Sequence, residues 1–280
     1  MIFKFCVFFI YIIQITNAFF ASNVNISRIV VIADIHNDLD RFKTILQNAK
    51  IIDKNDVWIS KPNTLVVQLG DQIDRKSIDN DDITDNHNYR LIRYTERLRD
   101  IAYEKDSYFI SMIGNHELNK IDKIRNKKDL NEIISRRPIV FTIGRYIFCH
   151  GGFQMEHHKI LKLYDKSIKD LNEIWYKYVN LMMLTNDENY ILNSLILDQQ
   201  NSILYTRKIA DKTDNIHLFN ELDIDYMFVG HTTTKHIFVR NNVWYLDQLL
   251  REAFDDKIYT YIEIEDEKVK IKGISYDGIE

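Results

Sequence analysis

Five times along this chain an apolar, often β-branched run stops and gives way at once to aspartate, asparagine or histidine. The runs end at Ala33-Asp34-Ile35-His36, Leu69-Gly70-Asp71, Ile113-Gly114-Asn115-His116, Cys149-His150 and Val229-Gly230-His231. Short apolar runs of this kind read as buried strands. Polar groups just beyond their ends are how open α/β sheets present function at a carboxyl edge. The third run carries the densest such group, Gly114-Asn115-His116-Glu117, in which an amide, an imidazole and a carboxylate follow one another. That trio makes sense where something must be coordinated or protonated.

Taken in order, Arg28 to Ala33 reads as a strand and Leu39 to Lys50 as an amphipathic helix, with Leu39, Phe42, Ile45, Leu46 and Ala49 on one face. Asp34 and His36, two residues apart in an extended segment, are expected to point the same way. Thr64 to Leu69 is a second strand, Asn88 to Tyr103 a second helix and Tyr108 to Ile113 a third strand. This β-α-β-α-β order, with right-handed crossovers, gathers the strand ends on one edge. Ile139 to Ile143 and Tyr146 to Cys149 predict a hairpin around Gly144. Residues 153–203 are mostly helical and predict an insertion over the site, and Asp225 to Val229 is a further strand. Runs at 237–240, 243–246, 258–264 and 268–274 predict antiparallel strands. No repeat or low-complexity linker divides the chain, which predicts one domain over 19–280.

Glycine use sharpens the point. Of 8 glycines, Gly70, Gly114, Gly151, Gly152 and Gly230 all flank these polar strand ends. Glycine serves where a backbone turns tightly or comes close to a ligand. The formal net charge of −4, with no basic stripe, gives no support to nucleic-acid binding. Residues 1–18 carry a minimal basic start, an apolar stretch over Phe5 to Ile15 and the small-residue ending Thr16-Asn17-Ala18. That pattern predicts a cleaved signal peptide and a secretory destination (secreted, or the lumen of an endomembrane organelle), with an uncleaved anchor as the alternative. The apolar stretch is short for a span, so no stable membrane span is expected after cleavage. Asn25-Ile26-Ser27 is a glycosylation sequon consistent with that route. Cys149 is then the one cysteine of the mature chain, which excludes an intramolecular disulfide; it reads as a small core residue.

Asp34, His36, Asp71, Asn115, His150 and His231 supply oxygen and imidazole donors with no thiolate. That set suits borderline divalent ions such as Mn, Fe or Zn. One carboxylate, most naturally Asp71, could bridge two ions. The result would be a two-metal site able to polarise a phosphoryl oxygen and generate hydroxide.

These motifs, Asp-x-His, Gly-Asp-x-x-Asp-Arg, Gly-Asn-His-Glu, His-Gly-Gly and Gly-His, together resemble the metallophosphoesterase signature of the phosphoprotein phosphatase (PPP) family. The resemblance runs from 28 to about 255. Ile113 to Asn119, Leu204-Tyr205-Thr206-Arg207, Leu246-Asp247 and Arg251 to Phe254 look like the Shewanella-like, bacterial-type branch. The resemblance implies an α/β fold of the calcineurin-like metallophosphoesterase type, a sandwich of two mixed β-sheets flanked by helices. It also implies one ion on Asp34, His36 and Asp71, and another on Asp71, Asn115, His150 and His231. A phosphate monoester, on a protein or a small molecule, would be attacked by hydroxide held between the metals. His116 would be the general acid oriented by Asp74, with Arg75 and Arg207 clamping the phosphate. Three glycines of the family are replaced here by Ala33, Asn37 and Lys76, while no ligand is lost. A dinucleotide polyphosphate hydrolase or nonspecific phosphomonoesterase of the same fold is the alternative, since a metal site alone does not choose the leaving group. A silent binding protein is disfavoured by the presence of Asp71, Asn115 and His116.

Overall fold

The computed structural model describes residues 25–74, 89–208, 212–248 and 258–275. The predicted signal at 1–18, Arg75, Lys76 and Arg251 to Phe254 lie outside the described residues. Two sheets of five strands form the body. The first has β1 (Arg28–Ile32), β2 (Thr64–Gln68) and β3 (Tyr108–Ser111) in parallel, with β9 (Ile258–Glu265) antiparallel to β1 and β10 (Lys268–Ser275) outermost. The second runs β4 (Val140–Ile143), β5 (Tyr146–Cys149), β6 (Tyr226–Val229), β8 (Val243–Tyr245) and β7 (Phe238–Arg240). Both sheets are mixed, as the family resemblance implied.

Side-chain alternation along each strand builds three apolar layers. Ile29, Val31, Leu65 and Val67 point inward against the second sheet. Val30, Ile32 and Val66 point outward, under helices α1 (Leu39–Asn48) and α2 (Arg90–Glu104), where Phe42, Ile45, Leu46, Leu91 and Leu98 cover them. The facing sheet answers with an aromatic row across four strands. Phe141, Phe148, Phe228 and Trp244 are cross-strand partners in register, stacked at centroid spacings of 5.8, 5.2 and 6.4 Å. Burying each such ring contributes roughly 1.5–3 kcal/mol. The outer face of the second sheet, including Ile147, Cys149, Met227 and Val229, packs under the remaining helices. Cys149 is fully buried there, and burial pushes its thiol pKa up, consistent with a core residue rather than a nucleophile.

The segment 153–203, predicted as a helical insertion, holds α6 (Met155–Leu163), α7 (Ile168–Val179), α8 (Asn186–Leu192) and a π-helical turn at Asn193–Leu197. It leaves the sheet after Gly152 and returns to the same place, because the Gly151 and Gly152 N–H groups both donate to the Ile203 carbonyl, at 2.9 and 3.1 Å. Within it, Asn172 of α7 receives the N–H groups of Ile139 and Val140 and donates to the Val140 carbonyl, covering the edge of β4. Among the described residues no helix is long and apolar enough to cross a membrane.

Two expectations need correction. β7 and β8 pair antiparallel with each other, as expected, yet β8 lies parallel to β6. The connection from Gly230 to Phe238 steps over one strand position, β7 carries the chain back, and β8 then turns into the gap between them and runs with β6. Asp34 and His36 do not share a side through strand alternation either. β1 stops at Ile32, and His36 and Asn37 take left-handed φ values of 47° and 62°. The loop is held by the loop beside it: the Ile35 and His36 N–H groups donate to the Asp71 carbonyl at 3.1 and 2.9 Å, and Asn37 N–H to Gln72 at 2.8 Å. Asn37 tolerates that conformation, as expected where the family uses glycine.

Candidate metal centre

The carboxyl ends of β1, β2, β3, β5 and β6 meet along one edge where the two sheets converge. Helix α3 (Asn115–Asn119) starts just beyond β3, after Met112, Ile113 and Gly114, and brings Asn115 and His116 into the same place. Four of the non-glycine residues with positive φ, His36, Asp71, Asp74 and His231, belong to this edge. Left-handed backbone costs such residues of order 1 kcal/mol each. Their concentration here marks a site whose geometry overrides local preference.

Asp71 stands at the centre and is buried. Its ligating oxygen lies within 4.8 Å of two sets of imidazole nitrogens, His36 with His116 on one side and His150 with His231 on the other. Oδ2 is 3.3 Å from His150 Nε2 and 3.7 Å from His116 Nε2, while Oδ1 accepts the His116 N–H at 2.9 Å. Asn115 Oδ1 is 3.0 Å from His150 Nε2. Asp34, also buried, accepts the His231 N–H through both oxygens, at 3.3 and 3.2 Å. All six residues singled out as ligands therefore converge, with one difference from the implied sets. The compact group around His36 contains His116 in place of Asp34, because the Asp34 carboxylate is turned to the His231 backbone.

Backbone carbonyls fix which imidazole nitrogen faces the cluster. His150 Nδ1 is 2.8 Å from Leu69 O, His36 Nδ1 3.3 Å from Ile73 O and His231 Nε2 3.1 Å from Tyr205 O. A carbonyl only accepts, so each of those nitrogens carries the proton. Nε2 of His36 and Nδ1 of His231 are left as donors of electron pairs, and His150 Nε2, 3.0 Å from the Asn115 amide oxygen, would become one on giving its proton up to a bound ion. That is the outer support expected of metal-ligating histidines.

The charges act on one another strongly. Burial raises the Asp34 carboxyl well above the usual range, aided by the neighbouring Asp247 and Asp71. Burial also opposes the Asp71 anion, but His150, His116 and His36 together pull its pKa below the ordinary value. The same acidic field overcomes burial at His150 and pushes it up to about 10. Burial and the charges of His150 and Arg207 push His231 down to about 3. A field that so favours positive charge at one point is one that would hold a divalent cation.

His116 is half-buried, and its Nδ1 is 3.2 Å from Asp74 Oδ2. Burial lowers its pKa, but the Asp74 bond and the Asp71 charge outweigh it and the net shift is upward. Lys120 Nζ lies 3.8 Å from the other Asp74 oxygen. The exposed Arg207 reaches the rim of the cluster, where it donates to the His231 carbonyl. Arg75 is outside the described residues.

Glu117 has a different task from the one its neighbours suggest. It is fully buried and accepts three backbone N–H groups, from Asp71 at 2.9 Å, Gln72 at 2.7 Å and Gly114 at 2.9 Å. It ties the loops after β2 and β3 together and joins no ligand group. Its position three residues beyond Gly114 is the return half of a capping box, a signal available in the sequence. Gly114 is required because a Cβ there would collide with the Asp71 carboxylate; Gly230 stands likewise against Asp34. Buried Asp247, singled out in the sequence only through the branch resemblance and given no role there, takes a bond from Thr233 Oγ1 at 3.1 Å and sits in the field of Asp34. No local spacing marks it.

Residues 27–234 match the calcineurin-like phosphoesterase family profile. The chain is 24% identical over 281 aligned positions to Shewanella-like protein phosphatase 1 of Plasmodium berghei, covering 87% of this chain and 73% of that protein. A shorter match, 31% over 108 residues, relates it to Shewanella-like protein phosphatase 2 of Arabidopsis thaliana and covers 38% of this chain and 25% of that one. Among solved structures, the cold-active protein-tyrosine phosphatase of a psychrophilic Shewanella superposes with a TM-score of 0.71 at 15% identity, over 90% of this chain and 80% of its own. A protein serine/threonine phosphatase from Saccharomyces cerevisiae does so at 0.57 and 12% identity, over 94% and 88%. At such identities these two establish the fold alone.

Proposed function

This chain belongs to the calcineurin-like phosphoesterase family, and on that premise we propose that it is a metal-dependent phosphoprotein phosphatase that hydrolyses phosphate monoesters. One observation carries the reading: the Asp71 carboxylate belongs to two ligand groups at once. In the proposal Asp34, His36 and Asp71 hold one divalent ion, and Asp71, Asn115, His150 and His231 hold the second. The donor chemistry fits, since oxygen and imidazole ligands without thiolate suit Mn, Fe or Zn. Two such ions, when bound, supply Lewis acidity toward a phosphoryl oxygen and toward water.

The remaining steps are the chain's own. His116 gives a proton from Nε2 to the departing ester oxygen, while Asp74 holds Nδ1 and stabilises the charged ring. Arg207 grips the non-bridging phosphate oxygens with a planar donor, and Arg75 is proposed as its counterpart. The names of the relatives support a protein substrate. The secretory route is part of the same proposal, supported by the pattern of residues 1–18 and by the exposed Asn25 acceptor. A gel shift on glycosidase treatment of protein from a eukaryotic host would support that route, and no shift would count against it.

Chelator-stripped protein is expected to release no p-nitrophenol from p-nitrophenyl phosphate and to recover turnover when Mn is restored. A phosphopeptide should be hydrolysed under the same conditions and diadenosine tetraphosphate should not. Full turnover in the presence of chelator would sink the metal reading, and preference for the dinucleotide would move the assignment to that activity.

A further inference from the structure

Helix α3 is only five residues long, too short to hold itself in water, yet it carries Asn115 and His116. Its first turn is fastened by the Glu117 bond to Gly114 N–H and by the His116 N–H to Asp71. Its last residue, Asn119, is fastened from elsewhere: Asn119 Oδ1 accepts the Tyr205 hydroxyl at 2.5 Å. Asn119 is three residues beyond His116, hence on the same side of the helix.

Tyr205 comes from the turn that closes the helical insertion. The Tyr205 and Thr206 N–H groups donate to Ser202 O at 3.1 and 2.9 Å, and the adjoining Ile203 carbonyl is anchored on Gly151 and Gly152, next to His150. The Tyr205 carbonyl is also the group that accepts His231 Nε2, and its ring stands edge-on to the His231 ring at 6.2 Å. One residue thus touches the ligand cluster through its main chain and the proton-donating helix through its side chain.

We infer that Tyr205, clasped to Asn119, is a positioning residue that sets His116 against the ligand cluster and thereby governs hydrolysis of esters whose leaving group must be protonated. The inference rests on the phosphatase reading above. Nothing in it requires the hydroxyl to touch substrate. An aryl ester such as p-nitrophenyl phosphate expels a stable anion and needs little from the acid, whereas an alkyl ester such as a phosphoserine peptide needs the proton in the transition state. Loss of the clasp should therefore fall on the second kind of substrate.

The test uses the full chain with metal restored and compares kcat/KM for p-nitrophenyl phosphate and for a phosphoserine peptide. Tyr205→Phe keeps the ring and the carbonyl on His231 and removes only the hydroxyl; Asn119→Ala removes the acceptor. Each is expected to lower the alkyl-to-aryl ratio by about three- to tenfold, the worth of one ordinary hydrogen bond. The double variant should lower it no further. Equal losses on both substrates, additive losses, or an unchanged ratio would overturn the inference. An unsubstituted protein that turns over neither ester overturns the phosphatase reading, and this inference with it.

Discussion

His116→Asn lowers kcat on alkyl phosphate monoesters such as a phosphoserine peptide by about 10²–10⁴-fold, the usual worth of a positioned general acid, while the protein keeps its metal. Asparagine is close to the size of the imidazole, so the packing against His36, whose ring lies 4.9 Å away, is disturbed little. The His116 N–H that donates to Asp71 belongs to the backbone and survives the change. What goes is the proton on Nε2 and the Asp74 bond that favours it. The readouts are kcat and elemental analysis on the same preparation. Parallel loss of activity and metal would show instead that His116 is a ligand, an outcome its grouping with His36 and Asp71 makes worth testing.

Glu117→Gln destabilises the fold by roughly 3–5 kcal/mol, lowering the melting temperature by about 10 °C. The carboxylate serves three N–H donors and none of its atoms reaches solvent. An amide keeps one acceptor oxygen and turns an NH₂ group toward N–H groups that also donate, leaving at least one buried donor without a partner. It also removes a negative charge that favours the guanidinium of Arg137, a buried residue bonded to Gln72 and Thr95 behind the site. Because the same bonds align the loops bearing Asp71 and Gly114, metal affinity should fall with stability. Thermal unfolding followed by circular dichroism tests this. A shift under 2 °C would mean that water or backbone movement satisfies the donors.

Much of this was legible because the signal is local. A strand that ends in glycine and then a ligand-type residue states its own purpose, and β5 was read to the residue from Tyr146 to Cys149. The mostly helical character of residues 153–203 was legible too, and three α-helices and a π-helical turn lie there. The helices between Asn115 and Ser135 were not read, because α3, α4 (Ile121–Arg125) and α5 (Lys128–Ser135) are 5, 5 and 8 residues long and propensity says little over such lengths. The conformation of His36 was misjudged for a related reason. Alternation applies only while a strand lasts, and β1 ends before Asp34 is reached. Glu117 and Tyr205 depend on partners 45 or more residues away, Gln72 and Asn119 respectively. Spacing along the chain cannot reveal those. Asp247, which acts on Asp34 in the fold and lies far from it in sequence, entered only through the resemblance, and its role at the site is hidden from spacing for the same reason.

The most direct measurement is a calorimetric titration of chelator-stripped protein with Mn, with p-nitrophenyl phosphate turnover followed at each addition. If Asp71 joins two sites, binding ends at two ions per chain and turnover grows in step with occupancy of the second. Binding that ends at one ion with turnover already complete, or turnover that never depends on added metal, would contradict a shared-carboxylate centre.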